Sequence, residues 1–358
     1  MPKFIKTVKP LYYLLVGFPL AILGDLLGWN QTFNFIAACV GLIPLAGLIG
    51  ESTEALAHIT GPKIGGLLNA TLGNAAELII TIVAIRAGLL DLVKASITGS
   101  IIGNLLLVLG ASVLLGGLKN GTQRFSRAHA STNATMLVLA VVALCVPSLF
   151  NHTLTGQAMP AGAIEAISLG VAGVMIVTYV LGLLFSIRSD SPMERAGGEP
   201  SEAPRWPLRT SLAVLGLTTA AVVWLSEILV RSVEAVMAAS GLSEFFLGII
   251  LIPIIGNVAE HLVAVQVSLK NKMDLSLEIA LGSSLQIALF VAPVLVFVSL
   301  LFGQQLNLVF NQFEVLALVA AVIVAALVSS DGETNWLEGA QLTAVYLILA
   351  VAFFFLPT

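Results

Sequence analysis

Residues 65–79 read GGLLNATLGNAAELI, an apolar run broken by glycine, asparagine and one glutamate. The flanking residues extend it to 64–88, enough for a membrane-crossing helix, which needs about 20 mostly apolar residues. Glu77 then falls about half-way along the span. A carboxylate at that depth is costly unless it faces a polar interior and finds partners. The pattern returns at 256–260: GNVAE lies 183 positions after GNAAE at 73–77. At the same offset Asp91-Leu92 is matched by Asp274-Leu275, and Gly99-Ser100 by Gly282-Ser283. Three features in one register mark an internal duplication.

Working outward, the whole chain has the same character. It holds 358 residues, 58% hydrophobic and 10% charged, with a mean hydropathy of +1.02. A soluble domain is about 25% charged, so a surface this poor in charge belongs in a lipid bilayer. Eleven apolar stretches are long enough to span: 11–28, 33–57, 64–88, 95–117, 130–149, 162–187, 209–231, 244–269, 275–301, 311–329 and 337–356. The expected fold is therefore all-α and polytopic. The net charge of −4 carries no basic run that would suit nucleic acid. Cys39 and Cys145 sit in apolar stretches and form neither a metal pattern nor a disulfide framework. The opening MPKFIKTVKP has no cleavable apolar core and reads as a cytosolic tail.

Lys and Arg set the expected orientation. With the N-terminus cytoplasmic, thirteen lie inside: Lys3, Lys6, Lys9, Lys63, Lys119, Arg124, Arg127, Arg188, Arg195, Arg205, Arg209, Lys270 and Lys272. Three lie outside: Arg86, Lys94 and Arg231. The two motif helices then run in opposite directions, making the halves inverted repeats. That architecture belongs to secondary transporters, whose sites lie near the midplane where the repeats meet. The expected organisation is an N-terminal tail and extra helix (1–32), a five-helix repeat (33–187), a polar cytoplasmic linker (188–208) and a second, inverted five-helix repeat (209–358).

Asn74 and Asn257 precede Glu77 and Glu260 by three residues and share their helix faces. Gly73 and Gly256 permit a close helix approach or a local break that frees carbonyls. Two carboxylates with neutral oxygens suit a hard divalent cation such as Ca²⁺, which takes about 6–8 oxygen ligands. Glu77 and Glu260 are thus the candidate metal ligands. The competing explanation is that these polar groups merely glue helices together. In the following helices GSIIGN supplies Ser100 and Asn104, and GSSLQI supplies Ser283 and Gln286. Glu54 and Glu234, near corresponding helix ends, are candidates for a cation-concentrating vestibule. Glu227 is deeper but lacks an acidic counterpart. His58, at a helix end, and His261, pointing away from Glu260, read as structural. Asp91 and Asp274 read as loop residues that cap the next helix. Pro44 and Pro253 are candidates for helix bending. No Gly-Lys-Ser phosphate loop, GxSxG or HExxH occurs, so neither ATP drive nor catalysis is expected, and no cofactor.

GNAAELI, GNVAEH, GSIIGNLLLVLG and ALGSSLQIALF resemble the paired motifs of calcium/proton exchangers, a branch of the calcium/cation antiporter superfamily. The resemblance covers nearly the whole chain. It implies a ten-helix core of inverted repeats with Glu77 and Glu260 as carriers of cation and protons. It also makes Asn74, Asn257, Ser100, Ser283 and Gln286 site residues. Sodium/calcium exchangers carry Ser-x-Pro-Glu in the motif helix; Asn stands here in place of that Ser, which favours protons. The acidic central stretch of some members is offset here by arginines, and the short tail suits a bacterial or archaeal membrane, with an organelle such as the vacuole as the alternative.

The expected mechanism is exchange of Ca²⁺ for protons. Two ionised carboxylates neutralise one cation; without it, like charges in a site of low dielectric repel, so cation and protons compete for the same oxygens. A sodium-coupled calcium exchanger is the alternative within the same fold, and other divalent cations remain open. The partners are Ca²⁺, protons and the bilayer, with a homo-oligomer left open.

Overall fold

The computed structural model describes residues 11–153, 161–188 and 206–356. The tail 1–10 and most of the expected linker lie outside the described residues.

The architecture is a helical bundle. A 3₁₀ turn, Tyr13–Val16, leads into α1, Gly17–Leu26. Then come α2, Gln31–Thr60; α3, Pro62–Leu72; α4, Ala75–Arg86; and α5, Leu90–Asn120. Helices α6, Arg127–Thr153, and α7, Ala161–Arg188, complete the first half. The second holds α8, Leu208–Arg231; the short α9, Val233–Ser240; α10, Glu244–Leu269; α11, Met273–Leu301; α12, Gln312–Val328; and α13, Trp336–Phe354.

Eight of these helices are long and apolar enough to cross a membrane, nine if α3 and α4 form one bent span. The other two expected segments are the shorter apolar helices Tyr13–Leu26 and Gln312–Val328. Length alone thus supports fewer crossings than eleven. Local chemistry trims both short helices: Gly28, at φ 66, turns the chain after α1, and Asn311 forms a capping box with Glu314 that starts α12. The same logic bounds α2. Asn30 accepts a hydrogen bond from the Thr32 amide at 2.7 Å, and Gly61, at φ 83, ends the helix. Pro62 then opens α3 where its missing N–H costs nothing.

α8 packs along α2, with α1 against both. α1 reaches α2 where Gly17 and Gly41 meet backbone to backbone. α10 lies between α2 and α5, and α13 covers the second half of α5. One feature was not expected: β1, Gln123–Arg124, pairs antiparallel with β2, Glu333–Thr334. Arg124 and Glu333 add an exposed ion pair at 3.6 Å.

The two ends of the bundle collect different residues. At one, Lys119 donates to the Leu269 carbonyl at 3.0 Å and Gln123 to that of Ser268 at 2.9 Å. At the other, Arg86 pairs with Glu227 at 2.9 Å and Arg231 with Asp25 at 3.3 Å. Glu227 is therefore a paired residue at a helix end and not a lone pathway carboxylate. Asp91 and Asp274 lie in the first turns of α5 and α11, not in loops. Asp91 pairs with Lys94 at 2.9 Å, and Asp274 accepts from the Ser126 amide at 2.6 Å.

Neither expected bending proline marks the break in the bundle. Pro44 lies inside the continuous α2, and Pro253 follows a π-helical turn, Leu247–Leu251, where the regular i→i−4 hydrogen-bond ladder is already interrupted. Among the described residues, the one pair of apolar helices that could form a single span yet bends by more than 40° meets at Gly73-Asn74, where α3 and α4 lie at 42°.

Candidate cation-binding site

The two copies of Gly-Asn-x-x-Glu fold differently. In the first, Gly73 and Asn74 break the helix, so Glu77 sits in the first turn of α4. In the second, the helix runs unbroken through Gly256 from Ile252 to Leu269. Gly256 instead gives close approach: a β-carbon there would stand 3.9 Å from the Glu77 Cβ. The break and the close approach, both open from sequence, are thus divided between the copies.

The side chains converge. Asn74, Glu77, Ser100, Asn104, Asn257 and Ser283 are all buried, and Glu260 and Gln286 are half-buried. Ser100 donates to Glu77 Oε1. Asn257 stands beside Glu77 and donates to the Ser100 hydroxyl at 3.5 Å and the Pro253 carbonyl at 3.1 Å. Asn74 donates to Gln286 Oε1 at 2.7 Å and accepts from the Ser283 hydroxyl at 3.0 Å. Ser283 also stands beside Glu260. The bonds therefore cross between halves: each motif asparagine pairs with the serine that follows the other motif.

Asn104 donates to the Ser283 hydroxyl at 3.1 Å, and its carbonyl lies 3.3 Å from His261 Nε2. His261 thus joins the network through a residue of the other half, a contact its helical position beside Glu260 did not reveal. Two atoms stand apart from this web. Glu77 Oε2 and Glu260 Oε2 are both buried and have no hydrogen-bond partner among the described residues. The two carboxylates are also close enough to interact electrostatically.

No three His, Cys, Asp or Glu converge among the described residues. A cation held here would take two carboxylates, with its remaining oxygens from asparagine, glutamine, serine and backbone. Such a set suits a hard cation and not a thiophilic one.

Glu54 and Glu234 are not brought to this site. Both are exposed. Glu54 lies towards the C-terminal end of α2, whereas α9, which carries Glu234, packs beside the residues that begin it, Gln31 to Asn34. They do not share one vestibule. His58 is exposed on α2, away from the network.

Fold and site together define an integral membrane transporter. The chain belongs to the sodium/calcium exchanger protein family, whose model matches residues 31–188 and again 210–355. It is 45% identical over 359 residues to the Ca²⁺/H⁺ antiporter of Aphanothece halophytica, covering 96% of each chain. It is 43% identical over 353 residues to the Ca²⁺/H⁺ antiporter ChaA of Bacillus subtilis, covering 97% of this chain and 99% of that one. The solved structure of native YfkE superposes with a TM-score of 0.85 at 40% identity, covering 97% of this chain and 100% of that chain.

Proposed function

We propose that this protein exchanges Ca²⁺ for protons across a membrane, with Glu77 and Glu260 binding either the cation or protons. The observation that carries the reading is the pair of buried, unpartnered oxygens, Glu77 Oε2 and Glu260 Oε2, on two helices that meet at Gly256. A buried anionic oxygen without a partner is costly. A divalent cation satisfies both at once, and so do protons. The remaining oxygens are already oriented by the crossed Asn–Ser bonds, which lowers the ordering cost of binding.

The names of the relatives support this choice of ions. The double match of one family model supports two repeats, 33–187 and 209–358, after a separate first helix. The collection of Lys119, Arg124, Lys270 and Lys272 at one end supports a cytoplasmic assignment for that end, and hence for the N-terminus. Alternating access would carry the site from one side of the membrane to the other.

A sodium-coupled calcium exchanger is the second reading, favoured by the description of the matching family. Proteoliposomes separate the two. An imposed pH gradient should drive ⁴⁵Ca²⁺ uptake, and a sodium gradient at equal pH should not. Uptake driven by sodium alone would transfer the assignment to the second reading, and competition by Mn²⁺ or Mg²⁺ would rank the cations.

A further inference from the structure

The two motif asparagines use their amides differently, and the difference leads to a residue outside the site. Asn257 turns back on its own helix, donating to the Pro253 carbonyl four residues earlier at 3.1 Å. Short polar side chains commonly bond nearby backbone in this way. At the 183-position register, Asn74 is the equivalent of Asn257, and Ala70 that of Pro253. Asn74 does otherwise. Its amide donates across to the other half, to Gln286 Oε1 at 2.7 Å.

The Ala70 carbonyl has a different partner. The last four carbonyls of a helix lack an intrahelical amide, and Ala70 is among them in α3, which ends at Leu72. A carbonyl freed at membrane depth must be satisfied by a neighbouring helix. Here Tyr179, on α7, donates its hydroxyl to it at 2.9 Å. Both residues are buried, and the phenol ring stacks on Phe290 of α11 with centroids 5.4 Å apart. Gly73 provides the opening towards Gln286: a β-carbon there would stand 3.2 Å from Gln286 Oε1, tighter than ordinary contact.

We infer that Tyr179 is a positioning residue of the cation site. By occupying the Ala70 carbonyl, it denies Asn74 the back-bond that Asn257 makes and commits the Asn74 amide to Gln286. This rests on the exchanger reading above. Asn74 is thereby held at both ends by α11, because its Oδ1 accepts from Ser283, the serine beside Glu260. Tyr179 thus acts on the ions through Asn74. It makes the two halves of the site unlike, one asparagine bonded within its own helix and the other across the interface.

Tyr179→Phe keeps the ring on Phe290 and removes only the donor. The Asn74 amide should then turn back to Ala70. ⁴⁵Ca²⁺ affinity should fall by about 3–10-fold, the range for one ordinary hydrogen bond. In proteoliposomes the KM for Ca²⁺ should rise while Vmax stays within about twofold, as expected when binding alone is weakened. The decisive comparison uses Gln286→Leu, which removes the acceptor. In that background Tyr179→Phe should cost less than about twofold more, because residues that act through one contact are non-additive. The melting temperature of the cation-free protein should show the same coupling, and it reads the contact even where binding is weak. Equal losses of melting temperature from Tyr179→Phe with and without Gln286 would make Tyr179 a packing residue and overturn the inference. So would unchanged affinity in Tyr179→Phe when the parent binds Ca²⁺. If the parent protein fails to exchange Ca²⁺ for protons, the functional reading falls, while the melting-temperature cycle still decides whether Tyr179 directs Asn74.

Discussion

Gly256 of the second motif faces Glu77 of the first, with room for a β-carbon: one at 256 would lie 3.9 Å from that of Glu77. This is ordinary van der Waals contact. Gly256→Ala should therefore fold and transport, gaining up to about 1 kcal/mol of helix propensity. Gly256→Leu should wedge the motif helices apart and remove Ca²⁺ binding. Melting temperature and ⁴⁵Ca²⁺ binding on both variants check this. An inactive alanine variant would show that the glycine serves some purpose other than close approach.

Ser100 touches both halves, donating to Glu77 and accepting from Asn257. Its hydroxyl orients the carboxylate and also offers a ligand oxygen. A hydrogen bond to a charged group is worth about 1.5–3 kcal/mol, so Ser100→Ala should weaken Ca²⁺ affinity by roughly 10–100-fold. Ser100→Thr keeps the hydroxyl and should lose less. Titration calorimetry on the two variants measures the difference; equal affinities would place Ser100 outside the site.

Acid should oppose the cation. A protonated carboxylate cannot ligate Ca²⁺, so binding must release the protons the pair holds. Affinity should rise as pH rises through the range where the coupled pair deprotonates, with a log–log slope of about one to two protons per Ca²⁺. Calorimetry in buffers of different ionisation enthalpy counts those protons. A flat profile across neutral pH would mean that protons and Ca²⁺ do not share these oxygens.

Much of this was legible in the sequence. Long apolar runs require helices, and register at 183 positions picks out Asn74 with Asn257, Glu77 with Glu260 and Ser100 with Ser283. What pattern could not supply was set by contacts between distant segments. The same Gly-Asn pair breaks a helix at 73–74 and passes smoothly at 256–257, because the two segments pack on different neighbours. The pairing of Gln123 with Thr334 joins loops with no local strand signal. Glu54 and Glu234 lie near corresponding helix ends in the repeats, and inversion sends corresponding ends to opposite sides of the bundle.

His261 was the least legible member, since only Asn104, from the other half, draws it in. Its ring braces Asn104, which in turn donates to Ser283. His261→Leu should weaken Ca²⁺ affinity by about 3–10-fold through loss of one hydrogen bond, with Vmax little changed. His261→Gln, able to reach the same amide, should recover part of the loss. A collapse of Vmax at unchanged KM would instead make the histidine a participant in proton movement.

The most direct measurement is pH-gradient-driven ⁴⁵Ca²⁺ uptake into proteoliposomes by Glu77→Gln and Glu260→Gln, each with a melting curve to verify folding. Each variant keeps the shape of the buried side chain and removes the charge that the cation and protons share. The expected result is loss of uptake in both, with folding retained. Uptake at the wild-type rate in both variants would contradict the assignment of Glu77 and Glu260 as the shared binding site.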